Sequence, residues 1–218
     1  ESLKYLLRDK DKGDILWLED PDQNIRGVSN KEGIKFEDFV RYSCRDNFRT
    51  PKKIAEYILK NTESRFTCRN NSDGYQVKKD YYVADKDQVE IVSKLLDKLT
   101  SKNEFKREQI TILTCRGYES SIFYKKDKVG RYKLSKVKER IDQDTKIAEP
   151  EYDHAGNLKY SDGDIFYNSV NKYKGDESPV VILVDIDQDK IKEKVLASVL
   201  LCGMTRATLK LHLLVKKN

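Results

Sequence analysis

The chain is short of the residues that carry self-sufficient chemistry. It has two histidines, His154 and His212, and four cysteines, Cys44, Cys68, Cys115 and Cys202, none in a Cys-x-x-Cys pair. Thiols so widely spaced suggest neither a structural zinc site nor a disulfide framework. Two histidines leave no material for a histidine-rich metal centre or a Ser-His-Asp constellation, so no metal ligands are assigned. No Gly-Lys dipeptide occurs, and with it goes the glycine-rich loop ending in Gly-Lys-Ser/Thr whose amides and lysine cradle nucleotide phosphates. No apolar run is long enough to span a bilayer and no signal peptide opens the chain, so a soluble cytoplasmic protein without a membrane partner is expected.

What is present fits a globular α/β protein. At 218 residues, 38% hydrophobic and 37% charged, the chain has material for one or two cores and falls outside the collagenous, membrane and low-complexity classes. A net charge of +6 permits a polyanionic partner without requiring one. Val92, Leu95, Leu96 and Leu99 share one face of an amphipathic helix expected over Asp85–Lys102, and Thr50-Pro51 is read as a cap and first residue opening a helix to about Lys60. Leu3–Asp9 reads as a helix end, Ile15–Leu18 as a strand and Asp20–Lys31 as a loop. Further strands are expected at Tyr81–Ala84, Ile110–Thr114, Ile165–Val170, Val180–Asp185 and Leu209–Val215, with a helix over Lys190–Ala207. The polar stretch Lys125–Asp164, broken by Gly130, Pro150, Gly156 and Gly163, reads mostly as loop. Such alternation implies a mostly parallel sheet flanked by helices. His212, inside an apolar strand, is expected to be packed.

The most informative segment is Val170–Glu177 (VNKYKGDE), which runs into the apolar Pro179–Asp185 and is followed by Leu200–Ala207 (LLCGMTRA). A Lys-Gly-acid-Glu turn before a buried strand, and an arginine at the end of the next helix, put polar groups at a sheet edge, where α/β folds bind ligands; phosphate is the expected ligand. Asp185 ends its strand as a Mg²⁺-holding acid would, but without a phosphate cradle it is read as a core-strand residue facing solvent.

These segments resemble superfamily 1 helicases of the UvrD/Rep type, whose second RecA-like domain carries a Lys-Gly-x-Glu turn, an apolar strand and Thr-Arg-Ala in succession. Asp20-Pro-Asp-Gln-Asn-Ile25 is similar to the segment closing the family's first motor domain, and Asp46-Asn-Phe-Arg-Thr-Pro51 to its Asn-aromatic-Arg motif. Tyr152–Asn157 leading into Gly163–Val170 resembles a subgroup with a nuclease-related domain near its N-terminus. The resemblance implies a RecA-like, P-loop NTPase-like fold. It implies that residues 1–35 are the end of a first motor domain and residues 36–218 the second, with a polar insertion around 125–164 in place of the large accessory domain of UvrD and Rep. It further implies a fragment whose phosphate loop precedes Glu1, so that ATP with Mg²⁺ is bound mainly by a missing first motor domain.

The roles implied are specific. Gln23 would sense the γ-phosphate, and Arg49 and Arg206 would reach that phosphate from the second domain, as a permanently charged forked guanidinium suits spread negative charge. Phe48 would stack on adenine, Glu177 would contact ribose, and Gly175 would allow close backbone approach. The family usually has His at Asn171 and Leu or Gln at Asp176. Arg116 and Asn171, with Tyr118, Tyr167, Lys172 and Tyr173 as basic and aromatic company near the strand ends, would line a track for single-stranded or partly duplex DNA. The expected activity is that of an ATP-dependent DNA helicase acting in DNA repair. The alternatives are a binding or regulatory module that kept the fold without turnover, and an RNA helicase.

Overall fold

The computed structural model describes residues 40, 42–141, 148–189 and 194–217. The elements expected before residue 32, the boundary at residue 35 and Gln23 lie outside them. In chain order the elements are β1 (Asp46–Asn47), α1 (Lys52–Asn61), β2 (Thr67–Cys68), β3 (Lys78–Tyr82), α2 (Asp85–Thr100), β4 (Ile110–Thr114), β5 (Lys128–Val129), β6 (Tyr132–Ser135), β7 (Glu139–Ile141), β8 (Ala148–Pro150), β9 (Ile165–Ser169), β10 (Ser178–Asp187), α3 (Lys194–Met204) and β11 (Ala207–Lys216). Seven strands form one sheet in the order β3-β11-β10-β4-β9-β6-β5. Every pair is parallel except the edge hairpin β5–β6. Among the described residues a mostly parallel sheet is flanked by three helices, a RecA-like α/β architecture, as the resemblance implied.

Two apolar layers hold it together, and the strand period of two assigns residues to them. From β10, Val180, Ile182 and Val184 join Val92, Leu96 and Leu99 of α2 in one cluster. The intervening Val181 and Leu183 face Ile54 and Ile58 of α1 and Leu200, Leu201 and Met204 of α3 in the other. Each fully buried side chain of this size contributes about 1.5–3 kcal/mol, which is why a strand covered on both faces has no polar alternation. Gly203 brings α3 down on the sheet, since a Cβ there would lie 2.8 Å from Leu183 Cδ2 and 3.0 Å from Val170 Cγ2.

Three local expectations are corrected. The first helix starts at Lys52 with Pro51 at its cap position and no side-chain cap. Thr50 is buried, and its Oγ1 accepts a bond from Asn47 Nδ2 at 3.1 Å. The first-turn amides of Lys52 and Lys53 instead donate to the carbonyls of Ser72 and Asp73, each at 3.0 Å, so a neighbouring loop does the capping. The stretch expected as loop forms two antiparallel pairs, β5–β6 and β7–β8. Its alternation hides the reason: Tyr132 and Leu134 point into the core while Lys133 points out. Asp185, expected at the solvent surface, is 1% exposed. The strand at Ile110–Thr114 and the packed His212 are as expected.

Candidate functional site

The segment 170–177 links the two edges of the sheet. It leaves the carboxyl end of β9 and enters the amino end of β10, so Asn171 and Glu177 belong to opposite edges. At the amino edge, β10 and β11 start side by side, and Ser178 N donates to Arg206 O at 2.9 Å. Arg206 therefore stands next to Glu177. Its guanidinium is buried: Nε donates to Cys202 O at 3.0 Å, Nη1 to Asp176 O at 3.3 Å and Nη2 to Thr205 Oγ1 at 3.2 Å. These bonds tie the C-terminus of α3, where free carbonyls attract a cation, to the turn before β10.

The segment carrying Arg49 is brought to the same amino edge by the loop 72–75, whose carbonyls accept from Lys52 N and Lys53 N while Tyr75 N donates to Leu209 O at 2.9 Å near the start of β11. Burial lowers the pKa of Arg206, and the positive field of Arg49 lowers it further, while Glu177 acts in the opposite sense. Arg49 is exposed, but its backbone is held on every side. Asn47 Oδ1 accepts from Arg49 N at 3.1 Å and Thr50 N at 2.9 Å, and Asn70 Nδ2 donates to Arg49 O at 2.5 Å. Phe48 beside it is 70% exposed, an unpacked aromatic face next to a cation. Gly175 has φ +109 and a Cβ there would meet nothing within 4 Å, so the turn needs a left-handed residue and leaves open space in front of it. The structure thus brings Phe48, Arg49, Glu177 and Arg206 to one rim, at the amino ends of the strands, whereas the carboxyl ends are where α/β sheets usually bind ligands.

The carboxyl edge carries the other predicted pair. Val170 N donates to Thr114 O at 3.1 Å, which sets Arg116 and Asn171 just past neighbouring strand ends. Asn171 is exposed. Arg116 is engaged within its own chain, with Nη1 3.5 Å from Asp85 Oδ2 and 3.8 Å from Asp185 Oδ1. The tyrosines expected to offer stacking faces do not: Tyr118, Tyr167 and Tyr173 are at most 5% exposed. Their hydroxyls serve internal bonds, Tyr167 to Tyr118 O at 2.8 Å and Tyr173 to Glu177 O at 2.9 Å. Their rings pack on other aromatics instead, Tyr118 against Tyr167 at 5.2 Å between centroids and Tyr173 against Phe166 at 6.2 Å.

The arrangement the sequence reading missed centres on Asp185. It sits at a register irregularity of β10 with φ +60, and its carboxylate accepts from Gln88 Nε2 and from Thr114 Oγ1, each at 2.7 Å. The available signal was Gln88, a polar residue on the apolar face of α2. Beside the network lies a cleft of about 380 Å³ lined by Arg116, Ser120, Asp187 and Leu196 among others. Among the described residues no cluster of three or more His, Cys, Asp or Glu side chains is placed to hold a metal ion, and no helix is long and apolar enough to cross a membrane.

No protein-family model matches the chain, and no curated protein matches it. Among solved structures the chain is similar to the C-terminal domain of a possible DNA helicase from Lactobacillus plantarum WCFS1. That similarity is 14% in sequence with a TM-score of 0.47, over 78% of this chain and 87% of that one. The fold assignment rests on this chain's own strand order and register.

Proposed function

We propose that this chain is the second RecA-like motor domain of an ATP-dependent DNA helicase or translocase, supplying Arg49 and Arg206 to the γ-phosphate of a nucleotide held mainly by a first motor domain. One observation carries the reading. Two arginines from opposite ends of the chain converge, with Glu177 and an exposed Phe48, on one rim, and one of them is held desolvated within the other's field. Like charges so placed repel; an anion laid between them turns that cost into binding, most strongly in a transition state with spread phosphate charge. The residues fit ATP with Mg²⁺ only as contributors across a cleft, since the sequence contains no phosphate cradle. Glu177 suits ribose hydroxyls and Phe48 the adenine face. Closing and opening the cleft around nucleotide would move a DNA strand along the carboxyl edge, where Asn171 and Arg116 stand.

Arg49 gives the cleaner test, because its side chain is exposed and its backbone contacts survive truncation. In the protein carrying both motor domains, Arg49→Ala and Arg206→Ala should each cut DNA-stimulated ATP turnover by a factor on the order of 10³ while changing ATP affinity far less. Arg206→Lys should restore only part, as an ammonium keeps charge without the fork. Arg49→Ala should leave the melting temperature unchanged. Full-speed turnover in Arg49→Ala would overturn the reading.

A second reading, a regulatory module without turnover, is favoured by the burial of Arg206 behind three internal bonds. It forbids DNA-stimulated hydrolysis in the intact protein, which the motor reading requires. Comparing DNA with RNA single strands as stimulants separates a DNA from an RNA helicase.

A further inference from the structure

The net charge of the chain is concentrated in one place. Residues 125–140 hold eight Lys and Arg against Asp127 and Glu139, a surplus equal to the +6 of the whole chain, and the remaining residues balance. In the fold this segment is the sheet edge, running from the turn before β5 through β6 into β7. Its basic side chains lie at the surface, six of the eight exposed and Lys126 and Lys136 half-buried.

Half of them already have partners. Arg131 pairs with Asp97 at 3.0 Å, Lys136 with Asp127 at 3.3 Å, Arg140 with Glu149 at 3.5 Å and Lys133 with Asp162 at 3.9 Å. Among the described residues, the side chains of Lys125, Lys126, Lys128 and Lys138 make no ion pair or hydrogen bond. The hairpin register gathers them: Lys128 lies opposite Lys133, and Leu134 N donates to Asp127 O at 2.8 Å, so residues 125–127 stand beside the carboxyl end of β6. Lys125 to Lys128 thus run along the outer edge of the sheet beside β6, whose carboxyl end lies on the same side as that of β9, and Lys138 follows three residues after β6 ends.

We infer that this edge ribbon is a second nucleic-acid contact, taking the phosphate backbone of a duplex through Lys125, Lys126, Lys128 and Lys138. The choice of duplex over single strand follows from the aromatics. Phe123 and Tyr132 are fully buried, and Tyr124 is half-buried with its hydroxyl donating to Glu139 at 2.9 Å. A surface with charge and without open ring faces suits phosphates whose bases are stacked away, whereas single strands are held by base stacking as well. The exposed Tyr152, which follows β8, lies between Glu151 and Asp153.

The test measures binding of a fluorescent blunt DNA duplex to the 218-residue chain by anisotropy across a salt series. A K125Q/K126Q/K128Q/K138Q variant is compared with K60Q/K78Q/K79Q/K217Q, which removes the same charge from other exposed positions. Loss of four phosphate contacts should flatten the slope of log affinity against log salt by about 3 to 4 and weaken binding at low salt by about tenfold or more. The control should keep its slope. The inference is overturned if both variants lose affinity equally, if the ribbon variant binds as well as the parent, if single strand of equal length is preferred, or if phosphatidylserine vesicles and no duplex are bound. It stands apart from the nucleotide rim: duplex binding here with no ATP turnover in the intact protein would keep the ribbon and discard the motor.

Discussion

At the scale of single residues, the buried polar groups decide most. His212 lies in the middle of β11, 3% exposed, with neither ring nitrogen hydrogen-bonded among the described residues. Burial first, then the charges of Lys210, Lys78 and Lys98, push its pKa down to about 4. The folded chain therefore resists a proton that the unfolded chain accepts near the ordinary value. The stability this represents is intact above about pH 6.5, falls as the pH drops toward 4 and levels below it. Between pH 7 and 4.5, wild type should lose about 2–3 kcal/mol more than His212→Leu in urea melts; equal losses would show that His212 is not held neutral. Its packing was readable because an apolar strand surrounded it. Asp185 was not readable in the same way. Its neighbours in sequence are apolar, but an irregular register and a left-handed backbone turn the carboxylate inward onto Gln88 and Thr114, and both partners are distant in sequence.

At the scale of elements, the helical period located α2, and unbroken apolar runs located β4 and β10. The helix expected to Lys102 ends at Thr100, whose Oγ1 bonds back to Leu96 O at 2.9 Å, with a 3-10 turn taking over at Ser101. Capping was misread at α1, because a Thr-Pro pair carries a local signal while the actual donors' partners, the carbonyls of Ser72 and Asp73, arrive from another loop. The ribbon between Lys128 and Pro150 was misread because its polar face dominates its composition. Gly203 makes a prediction at this scale: inside the last turn of α3, it looks replaceable by a better helix former. Against that, a Cβ there would press on Leu183 and Val170 of the sheet. Gly203→Ala should therefore destabilise by about 1–3 kcal/mol rather than stabilise, read as the denaturant midpoint. A gain in stability would mean that α3 can lift off without cost.

At the scale of the whole molecule, the missing cradle sets the expectation that the purified 218-residue chain shows no ATP turnover and at most feeble nucleotide binding, measured by phosphate release and calorimetry. Robust hydrolysis by this chain alone would refute the division of parts. The sequence by itself determined the fold class, through the apolar β10 and β11 segments and the amphipathic α2, and it pointed to Phe48, Arg49, Glu177 and Arg206, because short motifs keep their residues adjacent in the chain. Only the tertiary structure decided that Arg49 and Arg206 share a rim, that Arg206 is buried while Arg49 is exposed, and that Tyr118, Tyr167 and Tyr173 are turned inward. It also decided that the surplus charge of one segment stands along one edge. Those facts depend on which strands become neighbours, and strand order is set by contacts between residues far apart in sequence, where local propensity carries no information.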